Sequence, residues 1–314
     1  MPRVLVSLLV ACMLLSSAAF YTAAQQTDAA VEAKAAAFSE LKNRFSQTQD
    51  VEQKIALGEQ LLVAEAALDP WPLESPRAAV RADIAFDLGF AYLQRVSGER
   101  AAAIERAIAC FEIALAGWSR ESAPLDWART HNNLAIAYTN RIRGERASNL
   151  ELAIAHMQAA EPILTRAAYP QEWGQLQNNL AIAYYARTEG DRADNLEAAI
   201  AHFEAGLQVL TKEANPFLWA TIQHNLAGAY WARKRGDRSA NLEKGIAYAE
   251  AALTVFTREA YPTQWAQTQH NLAIAFVDRM EGDRSDNREQ AIAHFEQALS
   301  IIRRETLPEQ WAQI

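Results

Sequence analysis

The hydrophobic and polar positions of this chain repeat. From Pro124 onward, apolar and small residues recur at helical spacing in two runs per 46 residues. Trp127, Leu134, Ala137 and Tyr138 mark the first run, and Ala153, Ile154, Met157 and Ala160 the second. Spacings of three, four and seven place each run on one face of a helix. The pair then recurs in register with Trp127, Trp173, Trp219, Trp265 and Trp311. Self-similarity at such a period predicts stacked helix pairs sharing a continuous core, an all-α array that can take up the whole length.

Punctuation sharpens the elements. Pro124, Pro170, Pro216, Pro262 and Pro308 each stand three residues before a Trp. The first turn of a helix tolerates proline's missing N–H, so helix A of each pair is expected to open there and to run through residues 127–142 and their equivalents. It meets Arg-x-x-Gly-Asp/Glu-Arg, seen as Arg141 to Arg146, Arg187 to Arg192, Arg233 to Arg238 and Arg279 to Arg284. Gly144 and its equivalents suit a left-handed C-terminal cap. Ser148, Asp194 and Asp286, each three residues before a Glu, predict capping boxes that open helix B, which runs to near Ala168. Both helices are then about seventeen to twenty residues, roughly 25–30 Å long.

Outside residues 123–306, which hold four good repeats, the register persists more weakly. Leu88-Gly89, Ala91-Tyr92, Arg95, Gly98, Arg100, Ala107-Ile108 and Phe111 make residues 76–122 a diverged repeat. Within 25–75, residues 28–47 and 51–68 read as a helical pair capping the exposed end of the core, joined on through Asp69-Pro70-Trp71-Pro72. Residues 307–314 open a further helix A with Trp311 and stop, as a capping stub or the start of an incomplete repeat. Residues 1–24 carry a single charge, Arg3, and an apolar run from Val4 to Phe20, the signature of a secretory signal peptide. The expected location is therefore periplasmic or secreted. That run is near the lower limit of a membrane span, and Leu9-Val10-Ala11-Cys12 resembles the box preceding a lipidated cysteine. A membrane is a partner only if the segment stays uncleaved or is lipidated. With the signal removed, Cys110 is the only cysteine, so stability must come from stacking.

Composition and charge narrow the function. Half the residues are hydrophobic and 22% are charged, as in a packed helical protein. A formal charge of −8, with no Lys/Arg run longer than Arg233-Lys234-Arg235, disfavours nucleic acid as an electrostatic partner. His131, His224 and His270 fall on helix A and His156, His202 and His294 on helix B. Stacked helix pairs set equivalent positions about 10 Å apart, too far for ligands that need ~2.0–2.1 Å to one zinc. Cys110 and Tyr248 also replace His in the helix B row. No metal and no cofactor is expected. Neither a nucleophile elbow, a phosphate loop nor a zinc-protease motif occurs, so the chain is read as non-enzymatic. The arginine turns read as a structural network, with Arg141 at the helix dipole and Arg146 near Glu145 and Glu151.

The order Leu134-Ala135, Tyr138, Ala153, Met157, Ala160 resembles the tetratricopeptide repeat, lengthened by twelve residues. Written as Trp-Ala-x-x-Gln-x-Asn-Leu-Ala-x-Ala-Tyr, then Gly-Asp-Arg and Asn-Leu-Glu, it is similar to the long variant found in bacterial multidomain proteins and covers residues 124–306. That resemblance implies a right-handed α-solenoid of helix-turn-helix repeats in which helix A lines a concave groove. The groove positions are then 129, 132, 133, 136, 139 and 140 plus multiples of 46. Asn132, Asn133, Asn178, Asn179, His224, Asn225, His270 and Asn271 form a polar ladder there. Its amides can pair with the backbone of an extended peptide, or with one another between repeats, since Asn133 and its equivalents never vary. The varying positions, Arg129, Thr139, Asn140, Gln175, Tyr185, Thr221, Trp231, Gln267, Val277 and Asp278, are the ones that would read a ligand. Tyr185 and Trp231 are the expected aromatic anchors, whose removal should abolish capture while leaving the melt nearly unchanged. The groove lacks a row of Lys and Arg to clamp a terminal carboxylate. The resemblance implies a non-catalytic scaffold that binds a protein or extended peptide, or else the N-terminal sensory or scaffold arm of a longer peptidase-like or signalling protein.

Overall fold

The computed structural model describes residues 30–302, apart from 69, 70, 72–74 and 97. The expected signal segment with Cys12, and the expected 307–314 stub with Trp311, lie outside the described residues. Within them the chain is helical throughout, without a strand. The helices are α1 (30–47), α2 (Val51–Ala66), α3 (Arg77–Gln94), α4 (Arg100–Gly117), α5 (Pro124–Thr139), α6 (Arg146–Ala160), α7 (Pro170–Ala186), α8 (Arg192–Leu207), α9 (Pro216–Ala232), α10 (Arg238–Leu253), α11 (Pro262–Asp278) and α12 (Arg284–Leu299).

They form two compact units, one up to Ala137 and one from Tyr138. In the first, α2 packs on α3 and α3 on α4, over buried Leu61, Ile84, Leu88 and Phe111. In the second, every helix from α6 to α12 packs on the next, and α9 also touches α7 and α11. Pairs stacked on pairs make this a helical-repeat solenoid. Ala153, Ala199, Ala249 and Ala252 are fully enclosed, since small residues let neighbouring helices close up.

The helix starts follow the prolines, with Pro170, Pro216 and Pro262 in the first turn. The ends differ from expectation. Helix A stops at Ala186, Ala232 or Asp278, and the capping residue is the extended Arg187, Arg233 or Arg279. Gly190 and its equivalents do hold a positive φ, near +77°, but three residues further on, in the loop, where a residue with a side chain would be strained. The reason is that helix B side chains fasten this turn. Asn195 Nδ2 donates to the Glu189 carbonyl at 2.8 Å, and the Arg192 guanidinium donates to the Tyr185 carbonyl. Arg238 and Asn241 repeat both bonds on Trp231 and Arg235. Side chains rather than a glycine cap thus take the free carbonyls.

Helix B likewise begins three residues before the expected boxes. Asp191, Asp237 and Asp283 are the caps, accepting from the amides of Asp194, Ala240 and Asp286 at 2.8–3.2 Å. Ser148, Asp194 and Asp286 lie inside the first turn. Glu151 and Glu197, expected in two of the boxes, serve another bond. Arg187 grips Glu151 with Nε at 2.6 Å and Nη2 at 3.0 Å, and Arg233–Glu197 and Arg279–Glu243 repeat the fork at 2.8 Å. These bonds join the end of one helix A to helix B of the preceding repeat, so the expected Arg146–Glu145–Glu151 cluster gives way to an inter-repeat clamp. Arg146 itself donates to the Thr139 carbonyl. Both partners of Arg233–Glu197 are about a quarter exposed, enough screening to reduce the pair's strength but not to remove it. Arg233→Ala should cost about 2 kcal/mol in urea unfolding; a loss under about 0.5 kcal/mol would show the clamp to be decorative.

Helix B also ends early, at Ala160, Leu207, Leu253 or Leu299 rather than near Ala168. The residues that follow fold as turns, held by Thr165, Thr211 and Thr257 hydroxyls accepting from the amides three residues on. Each turn pushes one apolar side chain back inside: Leu164, Leu210, Phe256 and Ile302, with Trp118 at the matching position of the first unit, are all buried.

Candidate functional site

The framework side chains define the site by where they go. Tyr184 lies face to face with His202, their ring centroids 5.4 Å apart and the planes at 11°, and carries the Arg187 guanidinium 5.9 Å from its ring. Tyr138–His156, Tyr230–Tyr248 and Phe276–His294 stack in the same way. His202 and His294 each donate Nδ1 to a helix A glutamine, Gln177 at 2.6 Å and Gln269 at 2.5 Å. The helix B histidines are thus packing elements. His131 belongs one position ahead of His224 and His270, in the row of Gln177, Gln223 and Gln269, and its ring lies 4.1 Å from that of Trp127. Among the described residues, no three His, Cys, Asp or Glu converge on a point that would hold a metal. Cys110 is buried, and desolvation pushes its thiol up to about 12.

Burial also holds His156, His202, His224, His270 and His294 below the ordinary histidine value of 6.5. The folded state therefore binds fewer protons than the unfolded state just below that value, and stability falls as pH drops from 6.5 toward the folded values. The melting temperature should be lower at pH 5 than at pH 7.5, a range in which most carboxylates stay ionised. A flat profile over that range would show histidines in contact with water.

With those residues committed to the framework, the helix A face of the second unit has two adjoining cavities. One, of about 180 Å³, is lined by Ile182, Tyr185, Phe203, His224, Asn225, Gly228 and Asn271. The other, of about 250 Å³, is lined by Phe217, Thr221, His224, Asn225, Phe256, Gln264 and Gln267. His224 and Asn225 form the wall between them. His224 Nδ1 lies 2.8 Å from Thr268 Oγ1, whose own hydroxyl donates to the Gln264 carbonyl at 2.7 Å. The imidazole is therefore assigned as the Nδ1–H tautomer, with Nε2 left as an acceptor. The walls are neutral. Along its whole length α9 carries no charged residue, α7 carries only Glu172, and α11 only Asp278. A wider hollow on the helix B side, bordered by Glu151 and Glu189, offers less, because Glu151 is already held by Arg187.

The residues expected to bind are dispersed. Tyr185 borders the first cavity, about a third exposed, under the Arg192 guanidinium. His224 lines both cavities. Asn178 is buried, its Nδ2 3.4 Å from Asn179 Oδ1. His270 packs edge-on against Phe295. Trp231 leans into a notch on α10, where Gly245 stands in place of Ala153, Ala199 and Ala291 and no side chain would fit beneath the indole. Removing Trp231 would open a hole in the repeat, so melt and binding would move together. Val277 is exposed, and Asp278 lies 3.5 Å from Arg238. Thr139 supplies the carbonyl that Arg146 holds, while half-buried Arg129 and buried Asn132 stand in the first unit. Asn225 and Asn271 are the two amides of the ladder at a cavity wall, and among the described residues neither side chain has a hydrogen-bond partner in the protein. Gly228 falls at an expected groove position but was not singled out among the varying residues, although Ile136, Ile182 and Ile274 at the matching positions could have revealed it.

The chain is thus a helical-repeat protein with a neutral, amide-walled pair of cavities on its helix A face. Compared with known proteins, it matches no protein-family model and no curated protein.

Proposed function

We propose that this chain is an exported, non-catalytic scaffold of the tetratricopeptide type that binds an extended peptide segment of a partner protein along its helix A face. The observation that carries the reading is the state of Asn225 and Asn271. Every good copy keeps this asparagine; Asn179 accepts from Asn178, yet among the described residues neither the Asn225 nor the Asn271 side chain is bonded within the fold. An amide repeated at fixed spacing, with donor and acceptor both unspent, fits a ligand that also repeats, which is the backbone of an extended peptide. Export rests on the apolar segment at residues 1–24.

The test is selection from a phage library of random peptides panned against the full chain. Peptides should enrich and should lose binding to an Asn225→Ala/Asn271→Ala variant. Equal binding by that variant, or no enrichment on the wild type, would sink the reading.

A further inference from the structure

The smaller cavity exists because one repeat departs from the others. At the position filled by Ile136, Ile182 and Ile274, the third good copy has Gly228, in the interior of α9. Glycine is the poorest helix former after proline, and nothing packs against it here: an added Cβ would meet only the Tyr185 hydroxyl, at 3.7 Å. The missing side chain leaves a hollow floored by Ile182 and Phe203 and rimmed by Tyr185 and the unspent amides of Asn225 and Asn271.

Size and charge specify the occupant. At about 180 Å³ the hollow is below the ~300–1,000 Å³ of a small-molecule site and suits one large side chain. None of its lining residues carries a formal charge, and burial disfavours the charged form of His224. A cationic side chain entering it would be desolvated beside the Arg192 guanidinium, 5.2 Å from the Tyr185 ring, and an anionic one would meet only that exposed, solvent-screened charge, whereas an apolar one exchanges water for Ile182, Phe203 and the Tyr185 ring.

We infer that Gly228 builds a specificity pocket which takes one large apolar side chain of the bound peptide, while Asn225 and Asn271 hold the backbone on either side of it. The inference rests on the peptide-binding reading above and adds to it the residue that selects the sequence.

The test uses peptides selected on the wild-type full chain from the random phage library. They should share one large apolar position with no charge at it. By fluorescence anisotropy they should bind Gly228→Ile, which restores the side chain of the other copies, roughly ten- to a hundredfold more weakly. Gly228→Ala, whose methyl has room, should show a smaller loss in the same direction and is decisive if Gly228→Ile melts below wild type. Selected peptides without a shared apolar position, or peptides that bind the glycine variants as tightly as wild type, overturn the pocket and leave peptide binding standing. No enrichment at all overturns both.

Discussion

Leu210→Ala should destabilise the second unit by about 3–5 kcal/mol, although the residue lies outside any helix. Its side chain is fully enclosed, in one cluster with Ile200, Phe203, Ile222, Leu226 and Tyr230. The hole would not close readily. The facing position on α7 is Gly174, where an added Cβ would sit only 2.8 Å from Leu210 Cγ, so α7 has no side chain at that point to swing in. The backbone is also pinned, by Leu210 N–H to the Gly206 carbonyl at 3.0 Å and by Asn215 N–H to the Thr211 carbonyl at 2.9 Å. Urea unfolding followed by far-UV circular dichroism measures the loss, with exposed Glu213→Ala as a control expected within about 0.5 kcal/mol of wild type. A cost for Leu210→Ala below about 1 kcal/mol would remove the turn from the core. Because stacked repeats depend on their interfaces with neighbours, the damage should also broaden the transition.

The same residue shows where sequence reading stopped. Helical spacing in the two runs identified the helix pairs, and the prolines fixed one end of each, because both signals are local. The other ends were missed because their causes are not local. Helix A stops where Arg192 and Asn195 take carbonyls seven and six residues back, and the Glu read as part of a capping box is held by an arginine 36 residues on. The plug row of Trp118, Leu164, Leu210, Phe256 and Ile302 obeys the 46-residue period. Each member comes after helix B has ended, alone like Trp118 or in an apolar pair such as Val209-Leu210, and so short a run has no 3.6-residue rhythm. Gly228 stayed hidden for a related reason: the positions weighed as ligand readers were those with side chains, and its effect is the space that a missing side chain leaves.

The Asn225→Ala/Asn271→Ala variant should weaken selected peptides by roughly thirty- to 150-fold while leaving the melt unchanged or slightly raised. Sameness among repeats is ordinarily a sign of framework, and for Asn149, Asn195, Asn241 and Asn287 it is: each donates to a carbonyl six residues back at 2.7–2.8 Å. Asn225 and Asn271 repeat just as faithfully but bond to nothing in the protein among the described residues. Their removal therefore leaves no orphaned partner, and alanine is the better helix former by several tenths of a kcal/mol. Each amide can give and accept one bond with a peptide backbone, at about 0.5–1.5 kcal/mol net apiece, which supports a loss of about 2–3 kcal/mol for the pair. Asn195→Ala is the contrasting control: it should lower the melt, because the Glu189 carbonyl loses its donor, and leave peptide affinity close to wild type. If instead the double variant melts well below wild type, the amides hold the repeats together and the face they line is not a peptide site. Lost affinity with an intact melt would show that an identical residue in every copy can serve the one ligand feature that is also identical at every step, its backbone.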